Sequence, residues 1–345
     1  MSPLALAAAL LLAVPDGGVV LRLRAVGDVM LGTPIPEGNL PPDDGLHLLE
    51  PVAPLLRNAE LTFVNLEGPL CDRGTSTKCR PGSPCYAFRT PTRYGAYLAD
   101  AGVDLASTAN NHAADYGEAC RRETEATLDA LGIAWSGPPG TVGRVTTPSG
   151  LKVSLLAFHA SSATNDSTDL PAAAALVAEE ARRADLVVVS VHGGAEGLDA
   201  THVKPGVEHY LGENRGDLRA FAHAVVDAGA AVVLGHGPHV LRAIELYRGH
   251  LVAYSLGNFA TYGRFNLAGA LAVAAVLEVS LDGAGRFVSG RLLPTRQEGR
   301  GLPRPDETGE GLRLVRQLGA EDFPATGVRV EEDGRLTAPA AGRGR

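Results

Sequence analysis

Apolar positions alternate along this chain between two patterns. One is the short, dense run: "VVLRLRAVGD" (19–28), "LTFVNLE" (61–67), "DLASTANN" (104–111), "KVSLLAFH" (152–159), "DLVVVSVH" (185–192), "AAVVLGH" (230–236) and "HLVAYSLGNF" (250–259). Such runs, bounded by polar or Gly-containing segments, predict strands. The other is the longer segment with apolar residues three and four apart: "GLHLLEPVAPLLRNA" (45–59), "TPTRYGAYLADAG" (90–102), "EACRRETEATLDALG" (118–132), "AAAALVAEEARRA" (172–184) and "DLRAFAHAVVDAG" (217–229). Several of these close on Gly, a common helix C-terminus. Strands alternating with helices predict an α/β domain with much parallel pairing.

Three stretches depart from that alternation. "LAVAAVLEVSLDGAGRFVSGRLLPTR" (271–296) reads as strand, Asp-Gly turn and strand, a β-hairpin joining the sheet. Beyond residue 297 the chain turns charged and Pro/Gly-rich, with one short helix "EGLRLVRQLG" and a strand in "GVRVEEDGRLT". Residues 19–297 are therefore expected to form one catalytic-sized domain, and 298–345 a polar, weakly attached extension whose end, "APAAGRGR", is disordered. The N-terminal "MSPLALAAALLLAVPDGG" has an apolar core of signal-peptide length and then a Pro/Gly break. Residues 1–18 are read as a signal peptide or N-terminal anchor, against the plainer alternative of a buried helix. No internal run reads as an uninterrupted membrane span.

At 345 residues and 45% apolar, the chain can bury a large core. Its net charge of −8 argues against a nucleic-acid surface. Cys71, Cys79 and Cys85 sit close together, with Cys120 beyond, and their spacing is not a zinc pattern. In an exported protein, a disulfide would clip this Gly/Pro-rich loop. Cys79–Cys85 is the easiest pair on local distance, although spacing does not fix the partners. In a cytosolic protein the same residues are reduced loop and core cysteines.

Ligands of open α/β sheets sit beyond the carboxyl ends of the strands. Here those ends carry Asp28, Asn65 with Glu67, Asn111 with His112, His159, His192, and His236 with His239. Carboxylate, amide and imidazole together suit a divalent-metal site of hydrolytic type, holding one or two ions of manganese, iron or zinc. Asn65 and Glu67 alternate onto one face of their strand. A buried Glu67 needs a counter-charge. His159 heads a Ser/Thr-rich loop and ranks below the others, as does Asn65. Singly, each position has a plainer reading: Asp28 as a turn cap, "ANNH" as a helix start, Glu196 as a solvated or supporting carboxylate. His223 reads as a packing histidine, and His47, His202, His209 and His250 as surface or capping residues. Arg215 and Asp217 read as loop-ordering residues, and "SLGNF" as a strand and turn sufficient in itself.

The segments "AVGDVMLG", "FVNLEGPL", "STANNHAADYG", "VVVSVHGGAEG", "GHGPHVLRAIELYRG" and "VAYSLGNF", in this order, resemble the CapA family of poly-γ-glutamate capsule biosynthesis proteins. That family is similar to the calcineurin-like metallophosphoesterases. The resemblance implies a four-layer α/β/β/α sandwich with a metal centre at its strand ends. It places Asp28 at the first metal-binding aspartate, and Glu67, or Asn65, at the bridging acid. Asn111 falls at the metal-binding amide and His192 at the single histidine ligand. His236 and His239 take the last histidine pair, and His112 the acid/base that serves the leaving group. Met30 stands where those enzymes usually carry a histidine. Gly237 takes a frequent histidine position, one extra residue separating His236 from His239.

The resemblance implies an exported metal-dependent hydrolase serving a capsule or envelope polymer, working with a membrane synthesis complex. Two other readings remain: a non-catalytic component of such a complex, and a general phosphoesterase.

Overall fold

The computed structural model describes residues 18–76, 78–79 and 85–339. Two β-sheets lie face to face, and helices cover both outer faces. The first sheet has ten strands. Its central strand, Val19–Met30, pairs in parallel with Leu61–Leu66, which continues to Leu105–Ser107 and Ala134–Ser136. On its other side the central strand pairs antiparallel with the hairpin Val273–Asp282/Phe287–Glu298. The second sheet has seven strands, ordered Ile244–Tyr247, His250–Ala253, Val232–His236, Leu186–His192, Lys152–His159 and Gly143–Thr146, with Asn165–Asp166 on the Lys152–His159 strand.

Strand periodicity explains the layering. Leu21, Leu23, Ala25 and Phe63 point inward from the first sheet and meet Val153, Leu155, Val188, Val232 and Leu234 of the second. The intervening residues Val26, Val64 and Ala106 face outward onto Leu49, Val52, Leu56, Leu98 and Leu128. On the far side, Leu156, Val187, Val189 and Val233 pack against Val177, Phe221 and Val225. This is the expected four-layer α/β/β/α sandwich. Phe63 is fully buried and also packs on the His236 ring, centroids 5.5 Å apart. Its loss would cost about 3–5 kcal/mol.

The strongest helices follow their apolar period. Leu218–Asp227 buries Leu218, Phe221, Ala222, Val225 and Val226, and the Asp217 carboxylate caps it by accepting from Ala220 N at 2.9 Å. Gly117–Ala130 buries Cys120, Thr124 and Leu128. The segment 45–59, expected as a helix, forms only the turn Ala53–Leu56. Pro51 and Pro54 lack the N–H groups a longer helix needs, although Leu48, Leu49 and Val52 are buried.

Two further expectations are corrected. "HLVAYSLGNF" is not one strand: His250–Ala253 belongs to the second sheet and Asn258–Thr261 to the first, so the segment bridges the layers. Gly257 makes the crossing at φ 71°, and its carbonyl accepts Asp28 N–H at 2.9 Å. A Cβ on Gly27 would lie 1.8 Å from that carbonyl, so only glycine permits this approach. The extension beyond 297 is not weakly attached. Leu302–Pro305 pairs with Phe287–Glu298, Arg335–Thr337 adds at the sheet edge, and the helix Glu310–Asp322 places Leu312 and Val315 in the inter-sheet core. Of the N-terminal segment 1–18 read as a signal peptide or anchor, residues 1–17 lie outside the described residues, as do residues 340–345 of "APAAGRGR". Among the described residues, no helix is long and apolar enough to cross a membrane.

Candidate metal centre

Register brings the polar strand ends together. In the second sheet three parallel strands end level, His159 opposite His192 and His192 opposite His236. In the first sheet Asp28 stands opposite both Asn65 and Asn258. Apart from Asn258, which opens its strand, both rows lie at or near the carboxyl ends of parallel strands, and the two sheets face one another there.

Contacts link the rows. Asp28 Oδ1 accepts from Asn65 Nδ2 at 2.8 Å, Asp28 Oδ2 lies 2.9 Å from His239 Nδ1, and His236 Nδ1 lies 3.9 Å from Asp28 Oδ1. His239 Nε2 is 3.7 Å from Glu67 Oε1, and the same Glu67 oxygen is 3.8 Å from His112 Nε2. Asn65 Nδ2 lies 3.2 Å from His192 Nδ1. One donor atom from each of Asp28, Glu67 and His239 falls within 4.8 Å of the others. Asn111 joins less directly, beside His112 in sequence and lining a cavity of about 720 Å³ with His159 and Arg215. His159 turns its Nδ1 to the His192 carbonyl, 2.7 Å away, so it props the His192 strand.

The buried polar atoms fit a bound cation. Asn65 Oδ1, both Glu67 oxygens, Asn111 Oδ1, His192 Nε2 and both ring nitrogens of His236 are buried without a hydrogen-bond partner. Unpartnered buried polar groups are rare and each costs about 1–3 kcal/mol. A single divalent ion, or a pair, would take one donor atom from each of these side chains, one ring nitrogen in the case of His236. Of the other residues in the sequence-derived set, Asp28 and His239 are paired with each other, His112 with Asp115, and His159 with the His192 carbonyl.

The charges tell the same story. Burial and the Asp28 charge push the Glu67 carboxyl well above its ordinary range. Burial also opposes the charge on Asp28, but hydrogen bonding and attraction to His239 outweigh it and hold that carboxyl low. Burial likewise opposes a charged His239, yet Glu67, Asp28 and Glu196 overcome it and lift the ring to about 10. Burial drives His192 well below its usual value and His236 to about 4, leaving both neutral and able to donate a lone pair. Without a metal, the His239 imidazolium is thus the cation among three carboxylates.

Asn258, Asp115 and Lys78 were not singled out by sequence, whereas Glu196 was read as a supporting or solvated carboxylate and Arg215 as a loop-ordering residue. Asn258, inside "SLGNF", lies 3.0 Å from His239 Nδ1 through its Oδ1 and so helps aim that ring. Glu196 Oε2 is 3.6 Å from His239 Nε2, and its other oxygen is 3.0 Å from the buried Arg215 guanidinium. Asp115 and Lys78 contact His112. The spacing His112-x-x-Asp115 was a readable sign, whereas Asn258 and Lys78 come near only through the fold. The extra residue between His236 and His239 also has a cause. Gly237 has φ 106°, and a Cβ there would meet Gly193 O at 2.9 Å and Gly193 N at 3.0 Å. A histidine at 237 therefore has no room, and the chain turns to present His239 instead, at a left-handed φ of 61°.

Comparison with known proteins places these features in a family. The PGA biosynthesis protein CapA of Bacillus subtilis (strain 168) is 28% identical over 256 residues, covering 70% of this chain and 63% of that protein. The capsule biosynthesis protein CapA of Bacillus anthracis is 28% identical over 270 residues, covering 69% and 59%. The chain thus spans about three-fifths of the length of these curated relatives. Among solved structures, a 5'-nucleotidase precursor from Thermus thermophilus superposes with a TM-score of 0.37 at 12% identity, covering 86% of this chain and 58% of that one. The family described as bacterial capsule synthesis protein PGA_cap matches residues 22–262, a span that holds every strand end from Asp28 to Asn258. The chain belongs to that family.

Proposed function

We propose that this chain is an exported, metal-dependent hydrolase of capsule or envelope polymer metabolism, of metallophosphoesterase type. Its metal ligands are Asp28, Glu67, Asn111, His192, His236 and His239, with Asn65 beside the bridging acid and His112 transferring the proton. The observation that carries the reading is the set of unpartnered buried atoms on Asn65, Glu67, Asn111, His192 and His236, gathered at one seam. Two disulfides, Cys71–Cys120 and Cys79–Cys85, support an oxidising compartment.

A divalent cation held there supplies Lewis acidity and makes water more acidic. Asp28 and Glu67 provide the negative charge that retains it, and His192 and His236 are already neutral. His112 Nδ1 lies 2.6 Å from Asp115 Oδ2. Donation of that proton leaves a lone pair on Nε2, the atom that faces Glu67. Burial outweighs the pull of Asp115 and holds the His112 ring below its ordinary value, so it is neutral near pH 7 and able to exchange a proton with a leaving atom.

The test is protein purified without chelator, assayed on p-nitrophenyl phosphate esters and on γ-glutamyl oligomers. Turnover lost on chelation, restored by one of manganese, iron or zinc, and lost in a metal-retaining His112→Ala variant supports the hydrolase. Full capsule output from a His112→Ala strain would instead leave the chain a non-catalytic component of polymer assembly.

A further inference from the structure

Asp115 is 3% exposed and fully engaged. Its Oδ2 lies 2.6 Å from His112 Nδ1 and accepts Phe88 N–H at 2.8 Å, while its Oδ1 accepts from Lys78 Nζ at 2.6 Å. A buried carboxylate needs a counter-charge, and Lys78 is the cation in contact with it. The same ammonium donates to the Asn111 carbonyl at 3.0 Å and lies 3.2 Å from His112 Nδ1. One side chain therefore touches three residues of the strand end that carries the proposed acid/base. The chain has three lysines among 31 basic residues. A compact ammonium with three donors suits this three-way contact, where a planar guanidinium would not.

The segment that carries Lys78 is tied down from both sides. Cys71, at its start, is bonded to Cys120 in the helix that follows Asp115, and Cys79, next to Lys78, is bonded to Cys85. Beyond that second bridge, the Phe88 ring packs on His112 with centroids 4.2 Å apart. Neither bridge joins two core strands. Cys71–Cys120 holds the start of this stretch against the helix that follows Asp115, and Cys79–Cys85 ties the residue next to Lys78 to a point three residues before Phe88.

We propose that Lys78, held in place by the Cys79–Cys85 disulfide, is a positioning residue for His112. By occupying Asp115 Oδ1, it leaves Oδ2 to accept the His112 Nδ1 proton, which fixes the ring with Nε2 toward the metal centre. This rests on the hydrolase reading for its kinetic consequence but not for its geometry. The consequence would be an activity that depends on an intact disulfide outside the metal centre.

The experiment compares wild type, Lys78→Met, Lys78→Arg and the Cys79→Ser/Cys85→Ser pair, zinc-loaded and labelled at histidine nitrogens. Three quantities are read: zinc by plasma emission, kcat and KM on p-nitrophenyl phosphate, and the hydrogen-bonded His112 Nδ1 proton by NMR. Lys78→Met should keep its zinc and KM, lose about 10–100-fold in kcat, and lose the protected Nδ1 proton signal. Lys78→Arg should recover part of both losses, and the cysteine pair should follow Lys78→Met more weakly. An unchanged Nδ1 signal in Lys78→Met overturns the proposal, whatever the rates. If wild type shows no turnover, the hydrolase reading fails, and the Nδ1 signal still decides the placement of Lys78.

Discussion

At the seam, the ten-stranded sheet presents Asp28, Asn65, Glu67 and Asn111, whereas the seven-stranded sheet presents His159, His192 and His236, with His239 just beyond. Among the proposed metal ligands, one half offers oxygens and the other nitrogens. Each half alone would be costly to bury. Glu67 has no hydrogen-bond partner for either oxygen, and His236 has none for either ring nitrogen. Two close contacts cross between the halves: His239 reaches Asp28 and lies near Glu67, and Asn65 Nδ2 lies 3.2 Å from His192 Nδ1. The difference teaches that neither sheet is a site by itself. The acids create the demand for a cation, and burial keeps most of the imidazoles neutral so that they can share it.

The largest expected effect separates chemistry from cohesion between the halves. His112→Ala should retain metal and fold while losing about 10²–10⁴-fold in turnover, because it removes a proton-transfer group rather than a ligand. Steady-state kinetics with a parallel metal assay checks it, and equal loss of metal and rate would make His112 a ligand.

Next come substitutions within each half. His236→Ala removes two unpartnered nitrogens and should weaken metal binding at least tenfold, read by titration with a chromophoric chelator. Glu67→Gln should also weaken it, but with the opposite effect on the metal-free fold. The Glu67 carboxyl is raised well above 4.5 in the folded chain, so the folded state holds more protons than the unfolded one above that pH. Its contribution to stability therefore falls as pH rises from 4.5. In chelator-treated protein, Glu67→Gln should then melt higher than wild type near neutrality, by an amount equivalent to about 1–3 kcal/mol, with the gap closing toward pH 4.5. A variant that melts lower at every pH would mean that Glu67 is satisfied without a cation.

A protonated His239 makes metal uptake a proton exchange. Since its ring is lifted to about 10, a metal that takes its lone pair at pH 7–8 should release about one proton, with affinity rising as pH rises. Calorimetry in buffers of different ionisation enthalpy measures the number. Smaller effects test how the loop places that ring. Gly237→Ala should cost about 1–3 kcal/mol of stability, from its left-handed backbone and the approach of Gly193. Asn258→Ala should cost about 1–3 kcal/mol by removing its hydrogen bonds to His239 and to the Leu271 carbonyl.

Much of this was legible in the sequence, because strand ends are local. Asp28, His159, His192 and His236 each close a run that is a strand in the structure, and the register of parallel strands then aligns them. What local pattern could not show was which strands share a sheet. "HLVAYSLGNF" has one unbroken apolar rhythm, yet it crosses between sheets at Gly257, and that crossing sets Asn258 beside Asp28. The helix expected over 45–59 failed because apolar spacing survives in a proline-broken turn. The extension beyond 297 looked detached because its composition is polar, although Leu312, Val315 and Leu318 anchor its helix in the core. Lys78 was invisible for a different reason. It comes from a loop 33 residues before Asn111, brought there by contacts that no local spacing encodes.

The most direct measurement is the metal content of wild type and His192→Ala, both purified without chelator and counted by plasma emission. If one seam joins oxygens to nitrogens around a cation, wild type should carry at least one equivalent of divalent metal per chain. His192→Ala should lose most of it while keeping its circular dichroism spectrum. Wild-type protein that is folded, stable and free of metal even after exposure to manganese, iron and zinc would contradict it.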